Sequence, residues 1–282
     1  MIGRDGYPPG VPCWIDTEQP DPSAAIAFYG GLFGWQFEDR IPPGAPGRYA
    51  VAQLQGLDVA AVASADPGAG PPVWNTYVWV DDVEATTSVA ARAGGAVLAG
   101  ALDVGPAGRM AVIADPSGAP LRLWQAGTNR GAGIVNAPGT WNWSNLHTPD
   151  VDAARAFYAA VFGWAALDVE IGGGTATMWR RPGYGDFLEV LEPGLRSRQD
   201  ADGVPPGFAD AIAWVMPAAD GEEPRWSVTF AVDDTDAVVQ RALDLGGEVR
   251  VAPFDAGPVR AADLADPQGT GFSVNSYDPS RI

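Results

Sequence analysis

The chain is written twice. Residues 14–35 (WIDTEQPDPSAAIAFYGGLFGW) align with residues 143–164 (WSNLHTPDVDAARAFYAAVFGW) at an offset of 129, and 11 of these 22 positions are identical. Residues 80–95 (VDDVEATTSVAARAGG) align with residues 232–247 (VDDTDAVVQRALDLGG) at an offset of 152, with 7 of 16 identical. The tetrapeptide DPSG at 115–118 returns as DPQG at 266–269. Such a repeat constrains the architecture more than any local pattern, because each copy has to fold by the same plan. Two modules are expected, residues 10–126 and 140–278, joined by a linker over 127–139 whose Gly, Asn and Pro content marks a boundary. The offset grows by 152 − 129 = 23 residues, which places an insert near 192–225 of the second module. Its stretch GLRSRQDADGVPPG reads as loop.

Each module is itself divided into halves. A short strand runs into Pro20-Asp21 or Pro149-Asp150, which supply turn and helix N-cap chemistry. Ala25, Phe28, Tyr29, Leu32 and Phe33 then recur at helical spacing as one apolar stripe. Gly34 and Gly163 end the two helices as left-handed C-terminal glycines. The second half repeats this plan through Asp81-Asp82 and a helix closed by Gly94-Gly95. The expected unit is β-α-β-β-β, four times over, in an α+β fold.

Composition removes several chemistries. All 17 basic residues are Arg, there is one His (His147) and one Cys (Cys13), and 17 − 35 gives a net charge of −18. Lysine Schiff-base chemistry, an internal disulfide, a Cys-cluster zinc site and a site with two His from one chain are all excluded. The acidic balance argues against nucleic acid and against an anionic membrane surface. The N-terminus lacks an apolar run, so a cytoplasmic protein, monomer or homodimer, is expected.

Read together, T-x-x-P-D-(x6)-F-Y-x-x-x-F-G-W at 17–35, V-D-D-V-E-A followed by G-G at 80–95, and D-P-x-G at 115–118, with their second copies, resemble the vicinal oxygen chelate superfamily. This is the glyoxalase/bleomycin resistance protein/ring-cleaving dioxygenase group, and the likeness covers nearly the whole chain. It implies paired βαβββ units that form two glyoxalase/bleomycin-resistance-type modules with curved mixed sheets around cavities. It also implies where metal-dependent members would carry their ligands: Trp14, Asn75 and Arg122 in the first module, and Trp143, Ser227 and Ser273 in the second. His, His and Glu are expected there. The chain supplies neither set, so no metal and no cofactor are expected.

Alternation along strands puts residues i, i+2 and i+4 on one face. Trp14, Asp16 and Glu18 then share a face, as do Asn75, Tyr77 and Trp79, Arg122 and Trp124, Trp143, Asn145 and His147, and Ser273 and Asn275. Trp214 and Met216 alternate within the insert, either covering the second cavity or packing on it. Flat aromatics with a few amides, hydroxyls and charges suit a ligand pocket, although a Trp on a half-buried strand serves equally as core. Trp35, Trp164, the Phe-Tyr pairs and Cys13 read as structural.

The expected function is metal-independent binding of a bulky aromatic small molecule at Trp14, Asp16, Asn75, Tyr77, Arg122, Trp124, Trp143, Asn145, His147, Trp214, Ser273 and Asn275. Some antibiotic-sequestering members of the superfamily lack a metal, so the resemblance extends this to an anthracycline-like aromatic polyketide. The role would be sequestration or biosynthesis beside a partner enzyme. One alternative is a metal-free acid/base enzyme on a carbonyl or epoxide, using Asp16, Glu18 and His147 with Arg122 on an oxyanion. A second is a metal-dependent glyoxalase or dioxygenase.

Overall fold

A computed structural model describes residues 3–171, 174–201, 204–219 and 221–278. The first module runs β1 (Pro12–Gln19), α1 (Pro22–Phe33), β2 (Gln36–Asp39), β3 (Tyr49–Leu54), β4 (Leu57–Ser64), β5 (Trp74–Trp79), α2 (Val83–Arg92), β6 (Ala96–Asp103), β7 (Gly108–Ala114) and β8 (Pro120–Ala126). The second runs β9 (Thr140–Thr148), α3 (Val151–Phe162), β10 (Ala165–Ile171), β11 (Gly174–Arg180), α4 (Tyr184–Leu191), α5 (Leu195–Ala201), β12 (Ala211–Pro217), β13 (Arg225–Ala231), α6 (Thr235–Asp244), β14 (Glu248–Ala256), β15 (Val259–Ala265) and β16 (Gly271–Tyr277). The unit β-α-β-β-β occurs four times, as the repeat predicts.

The helix signals act as read. The Asp21, Asp82, Asp150 and Asp234 side chains each accept a backbone N–H of the first turn of their helices. Gly34 and Gly163 sit at φ 75° and 69° after α1 and α3, a left-handed geometry open to glycine at little cost.

The halves of each module pair with one another in a single mixed sheet. The strand orders are β2-β3-β4-β1-β5-β8-β7-β6 and β10-β11-β12-β9-β13-β16-β15-β14. Antiparallel β1–β5 and β9–β13 join the halves, flanked by parallel β1–β4, β5–β8, β9–β12 and β13–β16 pairs. Between the modules α1 packs on α6, α2 on α3, and β5 on β13.

The insert departs from the sequence reading. Leu195–Ala201 of GLRSRQDADGVPPG is helical, and the added backbone is α4, α5 and a 3₁₀ turn at Phe208–Asp210, between β11 and β12. Strand β12 falls inside 192–225 yet is the fourth strand of its unit, hydrogen-bonded between β11 and β9. Residues 202, 203 and 220 of that range lie outside the described residues. The surplus of Trp also proves to be packing first. Nine of the 11 Trp are buried core, and Trp143 and Trp214 alone are half-exposed. Apolar helix faces and sheet backs from both modules meet in two continuous clusters, where large aromatics bury much area.

Candidate functional site

The two sheets present corresponding residues in different states. In the first module β1 is buried almost throughout, whereas in β9 half-exposed Trp143, Asn145 and His147 alternate with buried Ser144, Leu146 and Thr148.

The first face is filled by its own side chains. Cross-strand register sets Trp14 opposite Tyr77, Asp16 opposite Asn75, and Tyr77 beside Arg122. Their polar ends converge on the Asp16 carboxylate, whose residue is 1% exposed. It accepts from Asn75 Nδ2 (2.9 Å), the Tyr77 hydroxyl (2.5 Å) and the Tyr49 hydroxyl (3.2 Å). Trp14 Nε1 donates to Tyr49 (3.0 Å), and Arg122 donates to Tyr77 (2.8 Å) and Glu18 (2.7 Å) while lying 3.6 Å from Asp16. Burial alone would lower the Arg122 pKa, but Asp16, Tyr77 and Glu18 outweigh it and raise it. Trp124 donates to the Asn129 carbonyl (3.0 Å). Thus Trp14, Asp16, Asn75, Tyr77, Arg122 and Trp124 do come together, but they occupy each other rather than line an open space. Asp16 accepts from Asn75, Tyr77 and Tyr49 at once.

The second face is open. Register across β12, β9 and β13 forms rows on one side: Trp214, Asn145 and Ser227 in one, and Met216, His147 and Arg225 in the next. Trp143, Trp214 and Phe208 form an aromatic corner. Their ring centroids lie 5.9 Å (Trp143–Trp214), 5.9 Å (Trp143–Phe208) and 6.5 Å (Phe208–Trp214) apart, at interplanar angles of 69°, 72° and 50°. The rings meet edge-on or tilted rather than stacked, and both indoles remain half-exposed. The polar wall holds Asn145 Nδ2 donating to Thr229 (3.0 Å), Asn142 Nδ2 donating to Asn275 (2.8 Å) and Ser273 donating to Asp263 (2.6 Å). A cavity of about 110 Å³ shares Trp143 and Phe208 with the corner and runs toward Arg4, Tyr7, Asn136 and Tyr184. That volume is too small to enclose a drug-sized molecule, so a large ligand would lie mainly over the open face.

His147 Nε2 lies 2.9 Å from Ser227 Oγ, and its Nδ1 lies 3.8 Å from Glu222 Oε1. Burial, then the neighbouring Arg225 charge, lowers the His147 pKa, which keeps the ring neutral near pH 7. Glu222 also accepts from Arg225 and from the Ala219 amide.

Neither face fits a divalent cation of the kind the resemblance implies. The first set is Trp14, Asn75 and an Arg122 already paired with carboxylates, and the second is Trp143, Ser227 and Ser273. Among the described residues no group of three or more His, Cys, Asp and Glu is gathered to hold a metal ion.

Sequence reasoning missed Tyr49, Phe208 and Glu222. Phe208 follows directly on the stretch read as loop, within the insert. Arg225, Ser227 and Thr229 carried a findable signal, since they alternate opposite His147, Asn145 and Trp143. Among the described residues no helix is long and apolar enough to cross a membrane.

The family model described as "Glyoxalase/Bleomycin resistance protein/Dioxygenase superfamily" matches residues 19–123, and "Glyoxalase-like domain" matches residues 143–275. The chain is 41% identical over 285 residues, all of both chains, to "Putative glyoxylase CFP32" of Mycobacterium tuberculosis (strain CDC 1551 / Oshkosh). It is 36% identical over 282 residues to "Anthracycline biosynthesis protein DnrV" of Streptomyces peucetius, covering 95% of this chain and 94% of that one. Among solved structures, the Mn(II)-bound glyoxalase from Novosphingobium aromaticivorans aligns with a TM-score of 0.60 at 16% identity, over 99% of this chain and 86% of that one. The 2,3-dioxygenase LapB from Pseudomonas sp. KL28 aligns at 0.59 and 14%, over 96% and 93%. At these identities the structural likeness concerns the fold alone.

Proposed function

The chain belongs to the glyoxalase/bleomycin resistance protein/dioxygenase superfamily, and we propose that within it this protein binds a planar, polycyclic aromatic small molecule on the open face of the second module, without a metal. The observation that carries this reading is the corner of Trp143, Phe208 and Trp214 beside the polar wall of Asn145, His147 and Ser227. Rings stack on the corner, and hydroxyl or keto edges meet the neutral imidazole, amide and hydroxyl groups. Ser273 and Asn275 border the same wall. The first face, packed by Asp16 and Arg122, supports the module rather than the ligand.

The relative named for anthracycline biosynthesis supports an aromatic polyketide as ligand class, in a biosynthetic setting beside a partner enzyme. Such a compound has the fused planar rings and oxygenated edges this face suits. Tryptophan fluorescence titration against hydroxyanthraquinones and intact anthracyclines tests it. Saturable quenching that W143A and W214A weaken is expected. No quenching across a chemically broad panel overturns it.

A further inference from the structure

Three side chains of the second face stand in an order that binding alone does not require. Ser227 projects from β13, His147 from the neighbouring β9, and Glu222 from the turn leading into β13. Ser227 Oγ is 2.9 Å from His147 Nε2, and the far ring nitrogen, Nδ1, is 3.8 Å from Glu222 Oε1. The second distance is longer than a hydrogen bond, and contacts of this kind tighten when a site closes on a ligand. With the ring proton on Nδ1, toward Glu222, Nε2 is free to accept from the serine. The order is nucleophile, base, orienting carboxylate.

The surroundings complete the set. Asn145 lies directly opposite Ser227 in the β9–β13 register. Its amide donates one N–H to Thr229 (3.0 Å), and the amide has a second N–H to offer. A donor of that kind beside an attacking serine suits the oxyanion of an acyl transfer. Trp214 continues the same row on the other side of Asn145. An aromatic ring held at the corner would then present a substituent toward Ser227.

We propose that Ser227, His147 and Glu222 form an esterase centre that removes the acyl group of an aryl or polycyclic aromatic ester. Ser227 Oγ attacks the ester carbonyl carbon while His147 Nε2 takes the hydroxyl proton. The carbonyl electrons move onto the oxygen, which Asn145 faces. Collapse breaks the carbon–oxygen bond to the leaving group, and His147 returns the proton to the departing alkoxide or phenoxide. Water then adds to the acyl-serine, His147 takes its proton, and the carboxylic acid leaves as Ser227 regains the proton. Ser227 is the nucleophile, His147 the base and acid, and Glu222 a positioning residue. The aromatic character of the substrate rests on the binding reading above; the three-residue set does not.

The test is active-site labelling of the intact chain with a fluorophosphonate probe, with peptide mass spectrometry to locate the adduct. Release of naphthol from 1-naphthyl acetate is followed in parallel. An adduct on Ser227 is expected, absent in S227A. H147Q should slow both labelling and hydrolysis by about 100-fold or more. E222Q should cost about tenfold and move the pH profile, which a merely structural carboxylate would not do. No adduct on Ser227 of the wild-type chain overturns the proposal, whatever the folding of the variants. So does naphthol release undiminished in folded S227A. Quenching by anthraquinones without a Ser227 adduct would leave the binding reading standing and this one refuted. An adduct without quenching would do the reverse.

Discussion

The Tyr158 hydroxyl donates to the Asp115 carboxylate across 3.1 Å, from the second module into the first. The repeat supplies its counterpart, because the Tyr29 hydroxyl donates to Asp266 across 3.1 Å in the other direction. Each tyrosine also accepts an indole N–H, from Trp226 and Trp74 respectively (3.1 Å in both cases). The Phe-Tyr and Asp-Pro-x-Gly motifs thus meet across the interface. The same exchange links Trp35 to the Gly139 carbonyl and Trp164 to the Gly10 carbonyl.

Y158F removes the donor to a buried carboxylate and the acceptor of a buried indole. Burial, with Asp115 nearby, pushes the Tyr158 hydroxyl well above its usual range, so it remains a donor at any working pH. A loss of about 1–3 kcal/mol is expected in urea unfolding. In Y29F/Y158F the two modules should begin to unfold in separate steps. An unchanged, single transition in the double variant would refute a locking role.

Arg122, itself mostly buried, lies beside the buried Asp16 carboxylate. R122L leaves that carboxylate buried without its counter-charge and should cost about 3–5 kcal/mol, read as a fall in the denaturation midpoint. Ligand affinity at the second face should stay within about twofold wherever the variant is folded. A large loss of affinity with intact stability would instead place the ligand on the first face.

The repeat made the fold legible, because its spacing fixed the four units and the caps announced the helix ends. The strand faces were legible too: Trp14 with Asp16 and Trp143 with Asn145 and His147 fall where alternation puts them. Occupancy was not legible. Tyr49 closes the first face from β3, and Phe208 completes the second from the insert, and no local pattern links either to its partners. The Glu222 contact with His147 is likewise set by a turn that the strand periods do not reach.

The aromatic corner separates stacking from packing. W214A should weaken binding of a planar probe about tenfold, equivalent to about 1.4 kcal/mol, because it removes one half-exposed indole from the face. W14F should change stability and leave affinity untouched, since Trp14 is 2% exposed and bonded to Tyr49. Calorimetric titration of both variants checks the contrast, and equal losses in the two would count against a site confined to the second module.

His147 should make stability depend on pH in a defined direction. Its folded pKa lies below 6.5, the ordinary value, through burial first and the Arg225 charge second, with Glu222 and Asp263 opposing. The unfolded chain therefore binds the proton more readily than the folded one. Above about pH 6.5 the ring is neutral in both states and full stability is present. As pH falls below that value toward the folded pKa, protonation favours the unfolded chain and stability is lost. In H147Q this part of the slope should vanish, while any acid unfolding from carboxylates at lower pH remains. Urea midpoints from about pH 8 to about pH 5 measure it. An identical slope in wild type and H147Q would mean that the imidazole is not desolvated as its place between Ser227 and Glu222 requires.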